Sequence, residues 1–229
     1  MKKLVLATAV ALGLASPAGA DIVGTVDILS DHCGCGAAGT GGSAQSSFGT
    51  LTVTDHENGV LDFSISLING NKFANGGQGV TFGYSLDGTP LVTYSNLLTN
   101  LWTVPGGIDN GDGTISQNAA SIHADGFGDV KYGLDLDNSG ASGNPPSTLT
   151  FTLTAAGLDI TDFINSTGGD PNAPFVFDIF SGSNGKTGFV DAGALHVVPG
   201  PIVGAGLPGL VMALLGMVGL QRRRRQLVG

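Results

Sequence analysis

The residues best suited to chemistry lie in three short stretches. Asp31-His32-Cys33-Gly34-Cys35-Gly36 carries both cysteines of the 229-residue chain beside one of its four histidines. Two thiolates and an imidazole are ligands for a soft metal, but no fourth ligand follows at a suitable spacing. Cys33 and Cys35 could equally close a small disulfide ring in a glycine-rich loop, or bond to another molecule. Asp135, Asp137 and Ser139 of "DLDNSG" stand at positions 1, 3 and 5 of a calcium loop, with Gly140 at position 6. Pro146 then falls at position 12, where a bidentate Glu is needed. "IDNGDGTI" puts Asn110, Asp112 and Gly113 at positions 3, 5 and 6 of the same pattern, but Ile108 and Ala119 at the first and twelfth. Both stretches read as Asx-rich turns between strands, with a calcium site outside the EF-hand pattern as the alternative.

Nucleophilic hydrolysis finds little support. The chain has no G-x-S-x-G elbow, and His32, His56, His123 and His196 fall in separate loops or strand ends. Aspartates are so frequent in the turns that a carboxylate pair arises by chance; two within ~5 to 10 Å across a cleft would be needed to suggest a glycosidase. Trp102, Tyr84, Tyr94 and Tyr132 would make a sugar-stacking platform if one sheet face gathered them, although core packing is the commoner fate of such residues.

Charge narrows the partners. Between Asp21 and Val198 there are three basic residues, Lys72, Lys131 and Lys186, against all eighteen acidic ones, a formal charge of −15. Such a body repels phosphate backbones and anionic lipid, so nucleic acid is excluded as a partner. Thirty of these 178 residues are glycine, about 17% where ~7% is usual, which points to short strands joined by many turns.

The elements that must position these residues alternate with period two. "FGTLTVTD" turns Leu51 and Val53 to one face and threonines to the other. "GVLDFSISLI" turns Leu61, Phe63, Ile65 and Leu67 inward, "STLTFTLTA" does so with Leu149, Phe151 and Leu153, and "PFVFDIFS" with Phe175, Phe177 and Ile179. His56-Glu57-Asn58-Gly59 reads as a hairpin turn. Further strands are expected over 22–29, 80–86, 91–95, 114–123 and 130–137, and one short helical turn after Gly157. The fold class is all-β: a single-domain antiparallel β-sandwich, jelly-roll-like, over residues 21–196. A closed barrel is the alternative.

The two ends are addresses. Lys2, Lys3, an apolar stretch and Ala18-Gly19-Ala20 make residues 1–20 a secretory signal peptide, cleaved before Asp21. Residues 202–220 hold no charge over nineteen positions, about 28 Å as a helix, enough to cross a bilayer core. Arg222, Arg223, Arg224 and Arg225 follow and keep that end cytoplasmic. Before the helix, Val198-Pro199-Gly200-Pro201 is an extended, unpaired segment that a processing enzyme can grip.

This tail, "VVPGPIVGAGLPGLVMALLGMVGLQRRRRQ", resembles the PEP-CTERM class of sorting signals: a proline motif, a transmembrane helix and an arginine cluster. Pro199 and Pro201 stand where the two prolines belong; Gly200 replaces the usual Glu, as in a VP-x-P variant. The resemblance implies an exosortase-like membrane transpeptidase as partner and a Gram-negative bacterium as host. Leu158, Asp162-Phe163, Gly168-Gly169, the aromatic strand 175–180 and Thr187-Gly188-Phe189-Val190 resemble, more loosely, the end of many exported proteins of that class. It brings no catalytic residues.

Together these features lead to the expectation of an exported, non-enzymatic surface or extracellular-matrix protein of structural or adhesive type. It would hold the membrane through the C-terminal segment, residues 197–229, until processed, and no cofactor is expected beyond calcium at Asp135, Asp137 and Ser139. The alternative role is a carbohydrate-binding module of the exopolysaccharide matrix.

Overall fold

A computed structural model describes residues 21–30, 47–56, 58–75, 79–137, 144–169, 173–183 and 185–199. The signal peptide, Cys33, Cys35, Ser139, Gly200, Pro201, the C-terminal helix and Arg222 to Arg225 lie outside these residues. Residues Asp21–Gly200 form one compact unit. Among the described residues there are eighteen strands and no helix, hence none long and apolar enough to cross a membrane.

In chain order the strands are β1 (Ile22–Ser30), β2 (Gly49–Asp55), β3 (Val60–Leu67), β4 (Lys72–Phe73), β5 (Phe82–Leu86), β6 (Val92–Ser95), β7 (Trp102–Thr103), β8 (Ile108–Asp109) and β9 (Ile115–Gln117). They continue as β10 (Ile122–Ala124), β11 (Gly128–Val130), β12 (Tyr132–Leu136), β13 (Thr148–Thr154), β14 (Phe163–Ile164), β15 (Thr167–Gly168), β16 (Phe175–Phe180), β17 (Thr187–Ala192) and β18 (His196–Pro199). Fifteen join one antiparallel sheet in the order β7-β12-β5-β16-β17-β1-β2-β3-β13-β6-β9-β8, with β4 and β14 added beside β16 and β5, and β18 beside β1. β10, β11 and β15 form a small second sheet.

The large sheet curls so that its two halves meet face to face. Alternation drives this: Leu61, Phe63, Ile65 and Leu67 are buried while Asp62, Ser64 and Ser66 are exposed. Phe63 of β3 stacks on Phe151 of β13 at 4.5 Å within one half, and reaches Phe82 of β5 at 6.2 Å and Phe163 of β14 at 5.8 Å in the other. The inward residues form one apolar cluster, as expected for period-two strands packed on a shared core.

The expected strands appear, with four corrections, the first being that 130–137 is divided: Val130 ends β11 of the small sheet and β12 runs from Tyr132 to Leu136. The segment 114–123 is not one strand: β9 ends at Gln117, and Ala120 N–H donates to the Lys131 carbonyl before β10 begins. The segment after Gly157 is a turn closed by Asp162 N–H on the Asp159 carbonyl, followed by β14 rather than a helix. Val198-Pro199 is extended but paired, as part of β18.

The hairpin at His56 forms as expected. His56 N–H donates to the Val60 carbonyl, and Asn58 and Gly59 adopt φ of 56° and 79°. A Cβ on Gly59 would come within 2.0 Å of the Ala155 carbonyl oxygen, so only glycine fits. β16 is buried on both faces: Phe175 and Phe177 face the main core, while Val176 packs with Val80, Phe127, Val130 and Phe189 beneath the small sheet. Gly83 lets that layer approach, since a Cβ there would meet Val130 Cγ2 at 2.7 Å.

Candidate functional site

The two ends of the compact unit meet at one corner of the sheet. β18 runs antiparallel along β1, with Ile22 opposite Pro199, Val23 opposite Val198, Gly24 opposite Val197 and Thr25 opposite His196. β17 lies on the same side of β1 further along, with Ala192 opposite Ile28. Three residues lie between Ala192 and His196 where β1 has two between Ile28 and Thr25, so a bulge at Gly193-Ala194-Leu195 divides one continuous edge into β17 and β18. Leu195 seats over Gly24: a Cβ there would meet Leu195 Cβ at 3.0 Å and Ile160 Cδ1 at 2.8 Å. Val197 and Val198 stay 43% and 64% exposed. Pro199 ends the strand, where a missing N–H costs no ladder bond.

Asp21, immediately before β1, is tied into the same corner. His56 Nδ1 lies 3.1 Å from Asp21 Oδ1, and its Nε2 lies 2.9 Å from Asp62 Oδ2. Thr152 Oγ1 donates to the second oxygen of Asp62 at 2.6 Å and accepts from Asn96 Nδ2 at 3.0 Å. The hydrogen bond that the imidazolium donates to Asp62, then the bond to Asp21 and its charge, raise the His56 imidazole above its ordinary value despite some desolvation. An imidazolium here clamps the start of β1 to the β2–β3 hairpin. Nothing in the sequence near His56 signals this link, because Asp21 is brought in only by the β1–β2 register that pairs Ile22 with Asp55.

Two histidine–carboxylate pairs among the described residues also reach a hydroxyl. His123 Nδ1 and Ser121 Oγ both approach Asp129, at 3.0 and 2.6 Å, so the carboxylate sits between serine and imidazole, and the hydroxyl donates to the carboxylate rather than to the imidazole. These bonds, Ser121 first, hold the Asp129 carboxyl below its usual range. The Thr152-Asp62-His56 chain has the same order. Among the described residues, no three His, Cys, Asp or Glu side chains are arranged to hold a metal ion.

The calcium-like stretches divide. Asp135 lies in β12, where its Oδ1 accepts from Thr81 Oγ1 at 2.9 Å, and Asp137 follows with its N–H on the Leu101 carbonyl. Around Asp112 the loop is an Asx turn: Asp112 Oδ1 takes the Thr114 hydroxyl at 2.6 Å and its N–H at 2.9 Å, which lowers the Asp112 carboxyl. Asp109 likewise accepts from Gly111 N–H.

The four aromatic candidates for sugar stacking are all buried. Tyr84 of β5 and Tyr94 of β6 join hydroxyls at 2.7 Å across the core, and Tyr94 donates to Gln117 Oε1 of β9 at 2.7 Å. Gln117 also accepts from Gly133 N–H and donates to the Pro105 carbonyl. Tyr132 stacks on Tyr84 at 5.5 Å and donates to the Pro90 carbonyl. Trp102 packs edge-on against Phe73 at 5.1 Å. These rings hold the halves of the sheet together and offer no surface platform. An exposed ring occurs elsewhere: Phe180, 38% exposed, lines a 370 Å³ cleft with Lys72, Asn75 and Thr187.

The candidates that remain are the joined ends of the compact unit, β1 and β18, and this cleft. No family model, no curated protein and no solved structure matches this chain.

Proposed function

We propose that the chain is an exported surface or matrix protein of structural or adhesive type, sorted through residues 197–229. The observation that carries the proposal is the layout of the tail: Pro199 and Pro201, a nineteen-residue uncharged run from 202 to 220, and Arg222 to Arg225, paired with an export leader at the other end. In this reading the leader is removed before Asp21, the helix and arginines hold the chain at the membrane, and an exosortase-like enzyme acts at the proline motif. The body is a jelly-roll-like sandwich displayed outside the cytoplasm of a Gram-negative bacterium.

The fold supports the reading in two ways. β1 begins at Ile22, one residue after the expected cleavage point, so leader removal takes nothing from the sheet. At Ser121 and Thr152, whose carboxylate partners also hold an imidazole, the hydroxyl donates to the carboxylate and not to the imidazole. Replacing Pro199 and Pro201 by alanine should leave the body in the membrane fraction while the parent chain appears outside the cell. Equal distribution of the two would count against a sorting signal.

A second reading, saccharide binding, is favoured by the Phe180 cleft, where an aromatic face lies beside Lys72 and Asn75. Phe180→Ala should abolish retention on the host's exopolysaccharide. Retention unchanged by that substitution removes this reading.

A further inference from the structure

Resting on the saccharide reading of the Phe180 cleft, we propose that its ligand is an acidic sugar, a uronate-type residue whose carboxylate meets Lys72 while its ring lies on Phe180. Strand register fixes the floor of the cleft. Phe180 ends β16, directly opposite Lys72 of β4 on one side and Thr187 of β17 on the other. Side chains opposed in this way share a face, with Cβ atoms about 5 Å apart, so the ring lies between an ammonium and a hydroxyl. Asn75 and Pro145 line the cleft beside them. An apolar face with a few polar groups at its rim suits a sugar ring, which has C–H bonds on one face and hydroxyls around its edge. The space is 370 Å³, at the low end for small-molecule sites, so it takes a short piece of a saccharide chain.

Charge selects the kind of sugar. No carboxylate lines the cleft. The sequence around its lining residues, over 72–79, 138–146 and 180–187, contains none of the eighteen acidic residues but two of the body's three lysines, Lys72 and Lys186. Asp178, two residues before Phe180 on the same face of β16, is buried. The third lysine, Lys131, lies elsewhere and gives its ammonium to the Leu86 and Gly88 carbonyls. Lys72 Nζ donates to Asn144 Oδ1, a neutral partner. An ammonium has several protons to donate, and a carboxylate is the acceptor that gains most from them.

The acidity of the rest of the body limits how densely that ligand is charged. At physiological salt the Debye length is about 8 Å, so acids elsewhere on the surface act weakly on a carboxylate seated at Lys72. The contact pair itself, within about 4 Å, keeps its attraction. A continuous polyanion would bring its remaining charges against a body of formal charge −15. The ligand is therefore a saccharide whose acidic residues are spaced among neutral ones.

The test measures retention of the full chain, in non-ionic detergent, on gels of the host's exopolysaccharide, native or with its carboxyl groups reduced to alcohols. Reduction should weaken retention about fivefold at physiological salt. The sign is diagnostic, because general repulsion by an acidic body would make reduction strengthen retention instead. Lys72→Gln should bind both gels equally, at the level the parent shows on the reduced one. Lys72→Arg should keep the preference, and Phe180→Ala should lose both gels. The fluorescence of buried Trp102 reports that each variant is folded. Equal or stronger retention of the parent on the reduced gel, or a preference that survives Lys72→Gln, overturns the acidic-sugar assignment and leaves the saccharide reading standing. Retention of the parent on neither gel refutes the saccharide reading and this assignment with it.

Discussion

The buried tyrosine pair yields a sharp prediction, because its hydrogen bonds have a fixed order. Tyr94 has one hydroxyl proton and gives it to Gln117 Oε1, so Tyr84 must donate to Tyr94. Tyr94→Phe removes both bonds and leaves the Tyr84 hydroxyl buried without a partner at the centre of the core. Two neutral hydrogen bonds at about 1 kcal/mol each, with about 1 kcal/mol for the stranded donor, give a cost of about 3 kcal/mol. Tyr84→Phe leaves the Tyr94–Gln117 bond intact and costs about 1 kcal/mol. The double replacement strands no hydroxyl, and Gln117 Oε1 keeps Gly133 N–H, so it costs about 2 kcal/mol, less than Tyr94→Phe alone. The assay is urea unfolding of residues 21–199, followed by the fluorescence of the single, buried Trp102. A double variant as costly as the sum of the singles, or Tyr94→Phe no worse than Tyr84→Phe, would refute the assigned direction of the network.

Other tests reach different parts of the molecule. Burial raises Tyr84 and Tyr94 far above the ordinary phenol value and pushes Tyr132 up to about 12, so absorbance at 295 nm should show no tyrosinate at pH 10.5 in the folded protein. The stability these phenols contribute is complete below pH 10 and lost above it; early ionisation of even one would contradict their burial. His56, raised by Asp62 and Asp21, stabilises the fold fully below about pH 6.5, and that contribution fades as the pH rises through its elevated folded value. With a side chain 37% exposed the effect is small, about 0.5 kcal/mol after screening, and His56→Asn should flatten the unfolding free energy between pH 6 and 8.5. Gly59→Ala should destabilise by more than about 2 kcal/mol, since it joins a positive φ to a clash with the Ala155 carbonyl; a near-neutral result in urea unfolding would mean that the hairpin adopts another turn.

What the sequence disclosed follows from how each strand is buried. β2, β3 and β13 have one dry and one wet face, so alternation named their inward residues correctly. β16 alternates Phe175, Phe177 and Ile179 inward as read, yet Val176 is also buried, because β10, β11 and β15 cover it. Those strands are two or three residues long and carry no periodicity to find. β18 was hidden by Pro199, which argues against a central strand but is tolerated at the end of an edge strand. The His56 clamp joins residues 35 positions apart and is visible only once β1 and β2 are in register. The three tyrosines and Trp102 pack in the core, the common fate of such residues, but the meeting of Tyr84, Tyr94 and Tyr132 from three separate strands is set by the fold.

The fate of the two chain ends tests the sorting reading most directly. Intact mass spectrometry of the protein recovered from its native host, separately from membranes and from the extracellular matrix, reads both at once. A species beginning at Asp21, ending at or just beyond Pro199 and found outside the membrane is the predicted result. A species that begins at Asp21, keeps Arg222 to Arg225 and is confined to membranes would contradict it and make the tail a permanent anchor.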